Sequence, residues 1–139
     1  MASYNKFEAF SENLAEKVHD LNADQLEVYL SNAAPSASAD AVKADLAEIA
    51  TGNGYTGPQD TQNATSRAGG TTTVTAVDVV ITASGGTMGP FQYVVLQNTT
   101  PTSPLDPLIA WWDYGSALTL NSGETFTIDF SGNALLTVA

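Results

Sequence analysis

The sequence predicts a mainly β fold, either an antiparallel β-sandwich or a jelly-roll-like barrel, with an N-terminal helix or arm. Three observations support this prediction. All 17 threonines lie after residue 50, and threonine favours strands. Residues 71–138 contain several short apolar or alternating segments, spaced by about ten residues. Turns rich in glycine and asparagine separate these segments, as is typical of sandwiches and barrels.

The N-terminal segment has the apolar spacing of a helix. Asn5 is a suitable N-cap residue, and Glu8 then lies in the first turn, where an acid is favourable. We therefore predict a helix near residues 5–20. The alternative is an irregular arm whose aromatic side chains tuck into a neighbouring molecule. The apolar residues recur every three or four positions and would form one stripe: Phe7, Phe10, Leu14, Val18 and Leu21.

Residues 26–70 mix one clear strand with long irregular stretches. Residues 26–30 alternate with period two and predict a strand, and residues 31–39 predict a loop. Residues 44–50 suit a short strand or, by propensity, a helical turn. Residues 51–58 have turn chemistry throughout. The polar run from there to Gly70 predicts a long exposed loop or a mobile flap.

Residues 71–139 are predicted to form the antiparallel β core of a single domain that spans residues 1–139. The N-terminal helix or arm (1–25) and the mixed region (26–70) complete that domain. We expect a corner at Tyr114-Gly115. The predicted strands are 71–83, 91–96, 108–113, 117–120, 125–130 and 135–138.

Strict alternation in the strand over residues 125–130 also predicts one core face. Phe126, Ile128 and Phe130 should lie on the same side of that strand. We expect this face to pack against Val94, Leu96 and Leu120.

Composition excludes several classes of function. Fifteen acidic and four basic residues give a net charge of −11, which repels a phosphate backbone, so we expect no nucleic-acid partner. No stretch approaches the ~18 apolar residues of a membrane span, so we expect no membrane partner. The N-terminus lacks the pattern of a signal peptide, and we expect the chain to be made and folded in a cytoplasm.

Catalytic and metal-binding constellations are not recognisable, and we expect neither an enzyme nor a cofactor. His19 is the only histidine, whereas a nucleophilic triad needs one beside a nucleophile and a metal site usually needs two. At the end of the predicted helix, the dipole would favour its charged form. The segment 20–24 (DLNAD) opens like a calcium loop, but Gln25 and Ser31 occupy the positions that require glycine and glutamate. We therefore expect no metal site.

Aromatic residues are the candidates for a contact surface. Adjacent Trp111 and Trp112 must point to opposite faces of a strand, so at most one of them can lie in the core. Tryptophan and tyrosine are enriched at interfaces, and three aromatics lie within the seven residues from Tyr4 to Phe10. Stacking on sugars is the alternative use. The interface candidates are Tyr4, Phe7, Phe10, Trp111, Trp112 and Tyr114.

Several segments together carry a family resemblance. They are GNGYTG (52–57), GGTMGPFQYVVL (85–96), PLIAWWDYG (107–115) and GETFTIDF (123–130), preceded by YNKF (4–7), LAEKVHDL (14–21) and LEVYL (26–30). In this order they resemble small virion structural proteins of tailed bacteriophages. Pro58 departs from the family pattern, which has a second glycine after the Gly-Tyr-Thr segment.

The resemblance implies a capsid cement or decoration protein whose partner is the major capsid protein. It also implies a homo-oligomer, with a trimer as the family-level expectation. The charge of −11 favours the capsid exterior, away from packaged DNA. The alternative is a head- or tail-fibre or neck component that binds a carbohydrate receptor.

Overall fold

The computed structural model describes residues 3–139 and has a mainly β fold with one short helix, α1 (Glu8–Ala15). Its antiparallel sheets form a β-sandwich-like arrangement, as the sequence predicts. Short 3-10 turns occur at Lys43–Asp45 and Ser131–Asn133. The strands are β1 (Asn5–Lys6), β2 (Leu26–Ser31), β3 (Gln59–Asp60), β4 (Ala64–Ala68), β5 (Thr71–Thr75), β6 (Val79–Thr82), β7 (Met88–Asn98), β8 (Leu108–Leu120), β9 (Thr125–Ile128) and β10 (Ala134–Val138).

The strands form three antiparallel sheets. The largest has five strands in the order β1-β8-β7-β2-β3, and β7 with β8 forms its long central hairpin. A three-stranded sheet has the order β10-β5-β4, and β6 pairs with β9 in a two-stranded sheet. All three sheets contribute side chains to one hydrophobic cluster, so the five-stranded sheet has an inner face that the other two sheets cover.

The outer face of the five-stranded sheet carries a second, smaller cluster. Alternation along β2 directs Val28 and Leu30 to the main cluster and Tyr29 to the second one. Leu46 covers this outer face and accepts, through its carbonyl oxygen, a hydrogen bond of 3.0 Å from the Tyr29 hydroxyl. The segment between β2 and β3 is therefore packed against the sheet.

The predicted core face is confirmed. Ile128 and Phe130 are buried in the main cluster, and Phe126 is half-buried against it. Their expected partners Val94, Leu96 and Leu120 are buried in the same cluster. Alternation in residues 125–130 was therefore a reliable guide to the inner face, although β9 itself ends at Ile128.

The prediction of a helix over residues 5–20 is wrong in its bounds. Asn5 and Lys6 pair with Trp111 and Ala110 of β8, so they are extended and Asn5 does not cap the helix. Phe7, whose backbone is also extended, occupies the N-cap position and donates its N–H to the Ile109 carbonyl. Pairing with the sheet edge thus delays the start of α1 to Glu8.

The predicted exposed loop before Gly70 instead contains strands β3 and β4. Strand β4 pairs with β5 through a tight hairpin at Gly69-Gly70, with Ala68 opposite Thr71. Strand β4 lies at an edge of its sheet, and four of its five side chains are exposed. An edge strand without a buried face lacks the alternation that would have predicted it.

Residues 71–83 were predicted as one strand and form two, β5 and β6, which belong to different sheets. The chain changes sheets at residues 76–78, where Ala76 donates its N–H to the Asn133 carbonyl. Residues 108–113 and 117–120 were predicted as two strands, whereas residues 108–120 form one strand, β8. The expected corner at Tyr114-Gly115 is an outward bulge within β8.

Candidate functional site

A groove of about 580 Å³ lies between β8 and β9. We call it the aromatic groove, because five rings border it together with the carboxylate-bearing residue Asp129. The rings belong to Tyr4, Trp112, Tyr114, Phe126 and Phe130.

The rings of the aromatic groove contact one another edge to face. Trp112 lies 5.9 Å from Tyr4 and 6.1 Å from Phe130 between ring centroids. Tyr114 lies 5.8 Å from Phe126. Contacts of this kind hold the rings in defined orientations. The groove therefore presents an ordered apolar surface.

Two tyrosines at the rim remain open to solvent. Tyr114 is 54% exposed and Tyr4 is 39% exposed. Burial of the rest of its ring raises the pKa of Tyr4 to about 12, so this hydroxyl stays protonated at neutral pH. Both residues can present an apolar ring and a hydrogen-bonding hydroxyl to a partner.

The groove is open because two strand edges lack neighbours there. Strand β1 pairs only with Ala110 and Trp111 of β8, which leaves the rest of that edge without a strand in the described residues. Within residues 3–139, β9 pairs with β6 alone. A short β1 and a two-stranded β6–β9 sheet are thus what expose the aromatic rings.

The charge around the groove is acidic. Asp129 is the charged residue that borders it. Asp78 lies outside the groove and accepts the backbone N–H of Phe130 at 2.9 Å. Residues 68–139 contain no lysine or arginine. The nearest base in sequence to Tyr4 is Lys6, whose ammonium donates to the Ser11 hydroxyl at 2.6 Å.

The structure brings three of the six predicted interface residues together: Tyr4, Trp112 and Tyr114 all border the aromatic groove. Trp111 lies on the opposite face of the sheet, where its ring is 4.6 Å from that of Phe7. The prediction that the two tryptophans face opposite sides is therefore confirmed.

Phe7 and Phe10 require a correction as interface candidates. Phe7 is fully buried in the outer cluster and Phe10 is buried in the main cluster. The pairing of β1 with β8 holds this segment against the protein's own core. Phe7 and Phe10 therefore serve the packing of β1 and α1 against the core.

Phe126 and Phe130 were predicted only as core residues, although they also border the groove.

His19 is buried and part of a polar network. Its Nδ1 lies 3.0 Å from Nδ2 of Asn98, which also donates to Oδ2 of Asp24 at 2.7 Å. Asn98 Oδ1 accepts the N–H of Thr100, which fixes the orientation of the Asn98 amide. Nδ1 of His19 must therefore be an acceptor, so the proton of the neutral ring lies on Nε2.

Burial lowers the pKa of His19, and the nearby Asp24 carboxylate opposes this shift. The expectation of a charged imidazole at a helix end is wrong, because α1 ends at Ala15.

The segment 20–24 is a compact turn in which Asp20 Oδ1 accepts the N–H groups of Asn22 and Ala23. In the described part of the chain, no three histidine or acidic side chains are grouped to hold a metal ion.

Comparisons with known proteins identify no relative: the chain matches no family model, no curated protein and no solved structure. Among residues 3–139, α1 is the one α-helix, and no helix has the length and apolarity that crossing a membrane requires.

Proposed function

We propose that this protein is a capsid decoration protein of a tailed bacteriophage. It binds the outer surface of the head, bridges neighbouring major capsid subunits and stabilises the shell. The resemblance of its turn and strand motifs to small phage virion proteins supports this proposal. The observation that bears most directly on it is the aromatic groove with the exposed Tyr114 at its rim.

The groove suits protein contact through apolar burial. Tyrosine and tryptophan dominate the energetics of interfaces, because a large ring buries much area at a small loss of conformational entropy. A specific interface needs roughly 1,000 Å² or more of buried surface in total. The groove is an anchor for such a contact and would be surrounded by a wider footprint.

The charge supports a position on the capsid exterior. A chain of net charge −11 inside a filled head would face the phosphates of the packaged DNA. Outside the shell this repulsion is absent, and an acidic surface keeps particles apart in solution. A trimer would add avidity, since three linked footprints bind far more tightly than one.

The test uses phage heads that lack this protein. Purified protein is added, and its occupancy on sedimented heads is measured by gel densitometry. We expect saturable binding, and we expect Tyr114→Ala to weaken it by about tenfold, as loss of an interface tyrosine does. Leu105→Ala is the matched control, because Leu105 is 62% exposed but lies outside the groove. Equal binding of the two variants would remove the groove from the contact.

Location is tested separately on intact heads. A protease that digests the free protein, or an antibody against it, should reach the protein without opening of the heads. Protection until the heads are opened would contradict the exterior assignment.

The second candidate is a fibre or neck component that binds a carbohydrate. The exposed Tyr114 ring and the Asp129 residue border the same groove, and an apolar surface with a few polar groups is typical of small-ligand sites. Copy number separates the two candidates. Hundreds of copies per virion would support decoration, whereas a few to a few tens, together with binding on a glycan array, would support the receptor-binding role.

A further inference from the structure

Strand β9 has a free edge that is ready to accept another strand. Ala83 exchanges backbone hydrogen bonds with the turn at Gly123 and Glu124, and bonded pairs alternate along an antiparallel ladder. Ile81–Phe126 and Val79–Ile128 are then the bonded pairs of β6 and β9. In the pair between them, Val80 and Thr127, the backbone N–H and C=O groups point away from the ladder, toward the two outer edges of this sheet.

The aromatic groove runs along the β9 edge. All five residues from Phe126 to Phe130 border it. Ile128 and Phe130 are buried and Phe126 is half-buried, whereas Thr127 and Asp129 are exposed. A strand added here would find backbone partners on Thr127 and an apolar surface for every second side chain.

We propose that the free edge of β9 binds an extended segment of the capsid subunit as an added β-strand. Side chains at alternate positions of that segment enter the aromatic groove, and a lysine or arginine of the segment meets Asp129. The identity of the partner rests on the proposed function, whereas the mode of binding rests on the open edge and its charge.

Charge complementarity selects this occupant over a second copy of the same chain. Asp129 lies at the Phe130 end of the groove, and residues 68–139 contain no base that could pair with it. Two copies paired through β9, with Thr127 opposite Thr127, would place Asp129 of each copy opposite Thr125 of the other, and would bring together two chains of net charge −11 in a region that has no base. Like charges placed together disfavour that pairing.

Two proline variants distinguish the free edge of β9 from the outer edge of β6. Thr127→Pro removes the outward N–H on the groove side, whereas Val80→Pro removes the equivalent N–H on the opposite edge of the same two-stranded sheet. Neither substitution removes a backbone hydrogen bond between β6 and β9. Far-UV spectra and melting temperatures of the two variants should therefore agree closely. We expect Thr127→Pro to weaken binding to phage heads by about tenfold or more, and Val80→Pro to bind like the unmodified protein.

A charge variant gives a second measurement that does not depend on how proline is tolerated. Asp129→Asn should weaken binding several-fold, and the loss should shrink as salt concentration rises. Glu12→Gln makes the same change of charge on the exposed side of α1 and should leave binding unchanged. Equal effects of the two variants would contradict a specific role for Asp129.

A peptide probe tests strand addition without the capsid. The probe is a short peptide that alternates valine and threonine, with a lysine at each end, and binding is followed by NMR at the Thr127 and Asp129 amides. A response at these amides in the unmodified protein and in Val80→Pro, and none at Asp129 in Thr127→Pro, supports strand addition. The NMR response would support strand addition even if the protein fails to bind heads. Failure to bind heads would then count against the proposed function alone.

Strand addition is overturned if Thr127→Pro and Val80→Pro bind heads equally. It is also overturned if the unmodified protein binds no heads and the peptide leaves the Thr127 amide unchanged. Self-association that Thr127→Pro abolishes would identify a second copy as the occupant and overturn the capsid segment.

Discussion

The two halves of β8 are one continuous strand in two different environments. Leu108, Ile109 and Ala110 are fully buried, whereas residues 113–117 are all exposed. The first half lies between β7 and β1 and is covered on both faces of the sheet. The second half bulges away from β7, because the four residues 114–117 lie opposite the single residue Gln92. Strand formation therefore does not decide burial; the neighbouring elements do.

This difference separates stability from function. The buried half ties the hairpin to the core, while the exposed half presents Tyr114 at the groove rim. Truncation of the buried side chains in the first half should therefore cost folding free energy, whereas truncation of the exposed Tyr114 side chain should affect binding alone.

The largest contrast is between Ile109→Ala and Tyr114→Ala. Ile109 is fully buried in the main cluster, so its truncation leaves a cavity and should lower the free energy of unfolding by about 2–5 kcal/mol. Tyr114→Ala should change it by no more than about 0.5 kcal/mol, because the ring is mostly exposed. Urea denaturation of both variants gives the comparison. Equal losses would show that the bulge is part of the core.

Two glycines with the same backbone conformation provide the next contrast. Gly54 and Gly115 both have φ near +100°. A Cβ at Gly54 would collide with the Thr82 carbonyl oxygen, whereas one at Gly115 would meet open space. Gly115→Ala should cost about 1–2 kcal/mol for the strained conformation alone. Gly54→Ala should cost clearly more, since the backbone must also move. Similar melting temperatures for the two variants would contradict the close contact at Gly54.

Tyr29→Phe and Tyr114→Phe compare a buried hydroxyl with an exposed one. Removal of the Tyr29 hydroxyl leaves the Leu46 carbonyl without its 3.0 Å donor inside the outer cluster. We expect a loss of about 1–3 kcal/mol, which is the usual cost of an unsatisfied buried group. Tyr114→Phe should be close to neutral in the same denaturation experiment. A neutral Tyr29→Phe would mean that water reaches Leu46.

The smallest effect concerns pH at the buried end of the hairpin. Protonated His19 would direct a second N–H at the Asn98 amide, which is itself a donor there. Because burial lowers the pKa of His19 in the folded protein, the unfolded chain binds this proton more readily. Stability should therefore fall as pH drops below about 6.5, the ordinary histidine value.

His19→Gln is the control for the pH effect, because glutamine does not titrate. Its free energy of unfolding should vary less between pH 7 and pH 6 than that of the unmodified protein. A steeper slope in the variant, or identical slopes, would exclude His19 as the source.

Much of the strand pattern could be predicted because it is local. Phe126, Ile128 and Phe130 share a face since the side-chain period of a strand is two. The same rule placed Trp111 and Trp112 on opposite sides of the sheet. These predictions needed no knowledge of which strands are neighbours.

The helix and the groove could not be predicted in the same way. The spacing of Phe7 and Phe10 suits a helix, but Asn5 and Lys6 are held extended by a strand more than 100 residues away. Strands β3 and β4 have too few buried side chains to show alternation. The partnership of Tyr4 with Trp112 depends on the same distant pairing.

Local sequence is sufficient to specify a strand-rich chain, the positions of most turns and the residues that share a face. These properties depend on side-chain period and on glycine and asparagine in turns, which act over a few residues. Long-range packing determines which strand edges have partners, which half of β8 is covered and where the aromatic groove lies. Pairing joins segments that are far apart in sequence, and its outcome depends on the competition of all strands for the same core.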